Sequence, residues 1–402
     1  MKPVRLALCG LGGIGGHHRK LILQNERYEL VAAAERFQEA QAGAVQELKD
    51  RGLRVYWHLW DLLDDLQDEV EAVVLAVPHH FHSEYTLGCL ERGLHVFVEK
   101  PVTVLIQDAY RELELAQEKQ RLVAVDFQYT GFPHSQALKK FIMEGGLGEL
   151  QTVVAVMAWK RTDEYYQRAH WAGKRYVEGK ACFDGVLMNQ AVHTMNSALQ
   201  MGTRLDDHAT VQQVQAETYT VHDGIEMEDL ACLRAQLDEA TLYLYATTCN
   251  FDQPERTTLE ITGSKGTASW DTKSATVRLN SGEEIVFDQK AEGEQMHNNF
   301  IDCIRGTAPR LYAPLDRGMK ATLAINGVYT SSGKIHKIGW DKMAQIRELI
   351  DQAAAEKKLF SELGADWACP GTPVDMTGYR EFVDPQAIAA AGDAAAVPPS
   401  GI

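Results

Sequence analysis

Two short clusters in this chain have the residue types and spacing to do chemistry. The first is Gly10-Leu11-Gly12-Gly13-Ile14-Gly15, a G-x-G-x-x-G turn, with Glu35 twenty residues beyond Gly15. In such a turn the first glycine permits the tight bend, the second lets backbone approach a pyrophosphate, and the third lets helix and strand pack closely. Leu11, Gly13 and Ile14 line the same cradle, and the N-terminus of the following helix faces the phosphates. Glu35 is placed to accept hydrogen bonds from the adenosine ribose, which favours NAD. Arg36 beside it is suited to a 2′-phosphate, so NADP stays open. The second cluster is Glu99-Lys100-Pro101, at the end of a strand-like run. In an open α/β sheet that places Lys100 near the nicotinamide end of a dinucleotide, where an amine can bind a substrate hydroxyl and share its proton. Pro101 fixes the turn and opens its peptide bond to the cis form.

These clusters need elements to hold them. Apolar runs at 4–9, 30–34, 72–77, 95–98 and 122–127 alternate with helical stretches at 16–24, 38–51, 82–92 and 105–119. The runs are continuous rather than alternating, as for strands covered on both faces, which predicts a doubly wound parallel sheet of Rossmann type over 1–130. After 130 the strand candidates lengthen and alternate, at 151–159, 211–221, 230–237, 241–249, 257–262 and 275–279. With helices near 294–305 and 316–333, this predicts an α+β domain over 131–340, built on a large mixed or antiparallel sheet. Met343, Ile346, Ile350 and Ala353 fall at helical spacing, so 341–402 reads as a helical extension, packing on the second domain or a neighbouring subunit, with an Ala/Pro-rich tail from 387.

Together these residues identify a resemblance to the glucose–fructose oxidoreductase / inositol dehydrogenase / rhizopine-catabolism (Gfo/Idh/MocA) family. It runs from the glycine turn through Val77-Pro78, His82 and Glu99-Lys100-Pro101 to the stretch from Gly185 to His193. It resumes at Glu228-Asp229 and over Leu259 to Thr267, covering about residues 4–338. The resemblance implies NAD(P)-dependent hydride transfer at a hydroxyl or keto group of a sugar, cyclitol or sugar derivative held between the domains. It adds Pro78, His82 and Glu99 to the cofactor contacts, and makes the protein a homodimer or homotetramer assembled through the second domain's sheet. Relatives commonly have Asp-x-x-x-His where this chain has Asn189 and His193, four apart and so expected on one helix face. Asn189 can orient a hydroxyl but cannot serve as a base, which leaves the proton to Lys100 and to His193, whose ordinary pKa near 6.5 suits that work. The chain also departs from the family's pattern at Phe183-Asp184-Gly185, where relatives often carry three glycines, at Asn196, and at Thr130-Gly131. Within the same resemblance, an NAD-assisted glycosidase and a non-catalytic dinucleotide-sensing regulator are the alternatives.

Between Trp159 and Arg175, aromatic faces and long donors crowd one loop; Trp159, Tyr165, Trp171 and Arg175 join Lys100, Asn189 and His193 as candidate substrate contacts. His79-His80-x-His82 has no evident fourth ligand, so no metal is expected. The chain has 402 residues, 45% hydrophobic and 24% charged, which suits a folded protein with two good cores. Its net charge of −16 disfavours nucleic-acid binding. No run approaches the length of a membrane span. The seven cysteines form no CxxC pair, so a reducing cytoplasm is expected.

Overall fold

The computed structural model describes residues 2–250, 253–290 and 293–387. The chain begins β1 (Val4–Cys9), α1 (Ile14–Gln24), β2 (Tyr28–Ala34), α2 (Ala42–Asp50), β3 (Arg54–Tyr56), α3 (Leu59–Leu66), β4 (Ala72–Leu75), α4 (His82–Glu91), β5 (His95–Val98), α5 (Ile106–Lys119) and β6 (Val123–Val125). The six strands make one sheet in the order β3-β2-β1-β4-β5-β6, with every pairing parallel. Apart from the short, partly exposed edge strand β3, these are largely apolar runs whose central residues are mostly buried, the signature of strands sandwiched by helices. Strand β1 lies between β2 and β4, so chain order reverses beside it and a crevice opens at the strand ends. The glycine turn, Glu35, Pro78, Glu99 and Asp126 follow the C-terminal ends of β1, β2, β4, β5 and β6.

The chain continues with α6 (Pro133–Met143), β7 (Leu150–Ala158), α7 (Asp163–Gln167), β8 (Tyr176–Val177), β9 (Lys180–Ala181), α8 (Val192–Met201), β10 (Val211–Thr220), β11 (Leu230–Leu237) and β12 (Thr241–Thr247). It then runs through β13 (Arg256–Gly263), β14 (Gly266–Asp271), β15 (Ala275–Leu279), β16 (Glu284–Phe287), α9 (Gln295–Ile304), α10 (Leu315–Ser332), β17 (His336–Lys337), α11 (Met343–Glu356) and β18 (Val374–Asp375). A second, mixed sheet has the order β16-β15-β14-β13-β7-β12-β11-β10-β17, with β18 added on β10. The fold class is therefore the expected one. The chain divides into two compact units: Met1–Thr103, Asp108–Phe132 and Ala291–Met319 form one, and the remaining segments form the other. Helix α9 thus folds with the parallel sheet, where His297 and Phe300 pack on Phe97 of β5.

Strand β7 shows how the extension shapes the second unit. Alternate residues of a strand point to opposite faces, yet Val153 through Ala158 are all buried. Helix α8 packs against β7 and β13. On the face carrying Val154, Val156 and Ala158, the extension supplies Ile346, Leu349, Ile350, Ala353, Leu359 and Phe360 to one cluster with Tyr219, Leu230 and Tyr245. The Tyr245 hydroxyl lies 2.7 Å from the Ala353 carbonyl and 2.9 Å from that of Lys358, satisfying the C-terminal end of α11. The extension therefore packs on its own second unit. The tail beyond residue 387 lies outside the described residues.

Candidate active site

The glycine turn separates into architectural and open positions. A Cβ on Gly10, whose φ is +94°, would lie 2.1 Å from the Ala76 carbonyl oxygen, and one on Gly15 would lie 2.3 Å from the Gly10 carbonyl oxygen. Both glycines are required by the chain's own packing. A Cβ on Gly12 would meet only the Gln41 amide, and one on Gly13 nothing within 4 Å. The turn leads into α1, which has no side-chain cap and no acidic residue in its first turn, so its N-terminus presents N–H donors and a positive dipole end. A cleft of about 570 Å³ beside it is lined by Leu11, Gly13, Gly16, His17, Lys20 and Gln41, among others.

Glu35 is buried and locked in place: Oε2 accepts the Leu11 N–H at 2.7 Å and Oε1 the Phe37 N–H at 2.7 Å. Arg36 stands with its guanidinium 5.6 Å from the centre of the Phe81 ring. A fixed carboxylate at the end of β2, a glycine turn open on its outer side and an uncapped helix fit a dinucleotide whose adenosine ribose carries free hydroxyls.

His82 takes a different role from the cofactor contact expected of it. Its Nδ1 lies 2.6 Å from the Pro101 carbonyl oxygen and its Nε2 2.8 Å from that of Val77. It is fully buried between those two backbones and ties the loops after β4 and β5 together. The Lys100–Pro101 peptide is cis. The Glu99 carboxylate accepts the Lys100 N–H at 3.1 Å through Oε2, while Oε1 lies 2.9 Å from Nε2 of His18. Asp126 approaches the same ring nitrogen at 3.7 Å. Burial and the adjacent Glu99 push the Asp126 carboxyl up to about 7, against the opposing pull of His18 and Lys100.

In the second unit, the residues from Trp159 to Trp171 form a ladder in which arginines alternate with rings. Arg161 lies 4.8 Å from the Trp159 ring and 5.1 Å from Tyr165, and Arg168 lies 3.8 Å from Tyr165 and 4.8 Å from Trp171. The Tyr165 hydroxyl accepts hydrogen bonds from Gln190 at 2.9 Å and Asn189 at 3.4 Å. Asn189 precedes α8 rather than lying on it, in a turn where Ala191 N–H bonds to Val186. His193 sits in the first turn of α8 and is 8% exposed.

Two residues here carry more than the sequence suggested. Asp184, standing in the family's glycine run, accepts the Asn189 amide at 2.6 Å and the Gly173 N–H at 2.8 Å. A carboxylate is thus present beside Asn189 although position 189 lacks one. Glu228 accepts the Leu187 N–H at 3.0 Å and the Tyr329 hydroxyl at 3.1 Å, fixing the turn that leads to Asn189 and His193. Burial pushes its carboxyl up to about 7. Arg175, expected at the substrate, is instead committed to Asp384 of the extension, with Nε to Oδ2 at 2.7 Å and Nη2 to Oδ1 at 2.5 Å. No local pattern announces that contact across 209 residues.

Comparison with known proteins completes the picture. Residues 4–127 match the family model described as "Oxidoreductase family, NAD-binding Rossmann fold", and residues 135–269 match "GFO/IDH/MocA C-terminal domain". D-glucoside 3-dehydrogenase of Escherichia coli K12 is 29% identical over 38% of this chain and 43% of its own length. Inositol 2-dehydrogenase of Corynebacterium glutamicum strain R is 29% identical over 37% of this chain and 44% of its own. The chain thus spans about half the length of the curated relatives it matches. The structure of the WlbA dehydrogenase from Bordetella pertussis in complex with NADH and UDP-GlcNAcA superposes with a TM-score of 0.70 at 26% identity, over 82% of this chain and 97% of that one. An inositol dehydrogenase homologue from Azotobacter vinelandii complexed with NAD+ shares the fold at a TM-score of 0.69 and 18% identity, over 82% and 95% of the two chains. Among the described residues no helix is long and apolar enough to cross a membrane.

Proposed function

Because this chain belongs to the Gfo/Idh/MocA family of NAD-binding oxidoreductases, we propose that it is an NAD-dependent dehydrogenase acting on a hydroxyl-bearing carbon of a sugar, cyclitol or sugar derivative. The observation that carries this reading is the Rossmann crevice: an open glycine turn and a locked Glu35 share one sheet with Glu99-Lys100-Pro101. Gly12, Gly13 and the α1 N-terminus would hold the pyrophosphate, and Glu35 would hold the ribose hydroxyls. The dinucleotide supplies hydride acceptance. Lys100 binds the reacting hydroxyl and takes its proton, and His193 of the second unit is the other side chain suited to handling a proton. Asn189, with its amide nitrogen held by Asp184, orients a hydroxyl through its carbonyl oxygen. Tyr165, Trp159 and Trp171 offer ring surface to the sugar. Arg175 is not a substrate contact in this scheme. Self-association, where it occurs, uses a surface other than the sheet face under α11, and the free cysteines support a reducing, cytoplasmic setting.

The test is NADH formation with a panel of sugars, sugar acids and cyclitols. On the substrate so found, Lys100→Met should lose about 10²- to 10⁴-fold in kcat, as for a lost acid–base group, and still bind NAD+. Full turnover without the Lys100 amine would overturn the assignment.

A further inference from the structure

The loop carrying Lys100 rests on a buried chain of side chains drawn from four elements, β5, α1, α9 and β2. Glu99 clasps the Lys100 N–H with one carboxylate oxygen and meets His18 with the other. His18 is on the helix that the glycine turn opens, and its ring is 1% exposed. Its Nδ1 lies 2.9 Å from Nε2 of His297 on α9. The far nitrogen of His297 lies 3.1 Å from the hydroxyl of Tyr28 at the start of β2, which in turn lies 3.3 Å from the His297 carbonyl oxygen. Phe97 stacks on His297 at 4.5 Å and meets the edge of His18 at 5.7 Å, so the chain runs through an apolar interior.

Nε2 of His18 donates to the Glu99 carboxylate, and its Nδ1 meets Nε2 of His297. The charges around His18 favour its protonated form. Glu99 and Lys100 face it from the β5 loop, Asp126 from the end of β6, neutral His297 from α9 and His17 from its own helix. Burial alone would lower the pKa of His18, but the hydrogen bond and charge of Glu99, with Asp126, outweigh it and raise it. Burial drives His297 the other way, well below its ordinary value. Both His18 nitrogens are engaged in hydrogen bonds, to His297 and to Glu99, with Asp126 beside them.

We propose that His18 is a positioning residue for Lys100: by holding Glu99, it fixes the main chain from which the lysine projects and ties that loop to the nucleotide-binding helix. The proposal rests on the role given to Lys100 above, and deepens it by naming the group through which the nucleotide turn and the proton-handling lysine are made one assembly. Such coupling matters because a misplacement of about 1 Å at a reacting group can cost on the order of 10²-fold in rate.

Two substitutions separate the two nitrogens of His18. Glutamine places an amide N–H near the position of Nε2 and keeps a donor toward Glu99. Asparagine places its amide near Nδ1 and keeps a hydrogen-bonding group toward His297 only. His18→Asn should lower kcat by about 10- to 100-fold with little change in NAD+ affinity, whereas His18→Gln should stay within about threefold of the parent. Independently of turnover, amide exchange in the segment 97–103 of the dinucleotide-bound protein should accelerate in His18→Asn and stay slow in His18→Gln. Equal behaviour of the two variants in exchange would overturn the proposal. If exchange separates them while Lys100→Met keeps full turnover, the assigned chemistry fails and the positioning of the loop stands.

Discussion

Removing the Asp384 carboxylate should detach the end of the extension without unfolding the protein. In Asp384→Ala the Arg175 guanidinium, only 12% exposed, loses both charge-assisted hydrogen bonds. Tyr176 loses an acceptor at 2.9 Å and the Gln386 N–H another at 3.0 Å. Breaking one side of a buried ion pair costs about 3–5 kcal/mol because the other charge is left uncompensated. Here Gln386 and the Phe183 ring remain beside the guanidinium, so the lower end of that range, about 3 kcal/mol, is the better expectation. The segment has other anchors: Phe382 packs near Phe183 and Tyr329, its backbone is bound both ways by Gln107, and Tyr379 pairs with Thr330. A loss of this size should therefore open the segment locally. Hydrogen exchange read by mass spectrometry should show protection lost over 372–387 and 173–184 and kept in β12. A double variant, Asp384→Leu with Arg175→Met, should recover part of it, since no charge is then stranded. Acid should reproduce the effect. Burial favours the neutral form of Asp384, but the Arg175 hydrogen bonds outweigh burial and hold its carboxyl below the ordinary value. Its stabilisation is full above the ordinary carboxylate range and is lost as pH falls through that lowered value. The parent should thus release the segment only in acid, and Asp384→Ala should show no such step. Unchanged exchange over both segments in Asp384→Ala would refute the reasoning.

Three further predictions follow from packing. Gly10→Ala forces a Cβ to 2.1 Å from a backbone oxygen at a φ of +94°; strain at such positions costs about 1–3 kcal/mol before the overlap is counted, so its melting temperature should drop, whereas Gly12→Ala should melt like the parent and fail to bind NAD+ in calorimetric titration. Equal melting losses in the two variants would contradict the division of the turn. Glu112 on α5 is fully buried, and burial holds its carboxyl well above the ordinary range. The folded state then keeps a proton that the unfolded chain releases, so stability falls as pH rises above the ordinary carboxylate value; Glu112→Gln should melt higher than the parent at pH 8 and by less at pH 5, and an equal difference at both would be inconsistent with this. Truncation after Trp340 uncovers Val154, Val156, Tyr219 and Tyr245; the product should bind a hydrophobic dye and precipitate, and a soluble, dye-negative product would show that α11 is dispensable.

What the sequence disclosed was what it states locally. The glycine turn, Glu35 and Glu99-Lys100-Pro101 each sit at the end of an apolar run, so chain order alone places them at one edge of a sheet. Short elements such as β3, β14, β16 and α6 go unassigned because three to eleven residues of mixed polarity have no period that stands out from their neighbours, whereas α3 goes unassigned although Leu59, Leu62, Leu63 and Leu66 recur at helical spacing and are all buried. The predicted helix over 38–51 begins only at Ala42, after a turn in which the Gln41 N–H bonds back to Phe37. Asn189 was expected on a helix face, yet Glu228 holds a turn there instead, from 41 residues away. Arg175 looked like a substrate contact because its partner lies in a distant segment with no motif of its own. His18 escaped notice for a related reason: its meaning lies in Glu99 and His297, which only the tertiary fold brings to it.

The covering of the second sheet by α11 also changes how its stability responds to dilution. An apolar face closed by a second molecule is protected only as far as mass action allows, and its protection weakens as protein becomes scarce. Here the closing segment is joined to the sheet by a few residues after β17, so its local concentration is set by the tether and not by how much protein is made. The part of the fold that includes Tyr219 and Tyr245 should therefore be as well sealed at a handful of copies per cell as at crystallisation concentrations.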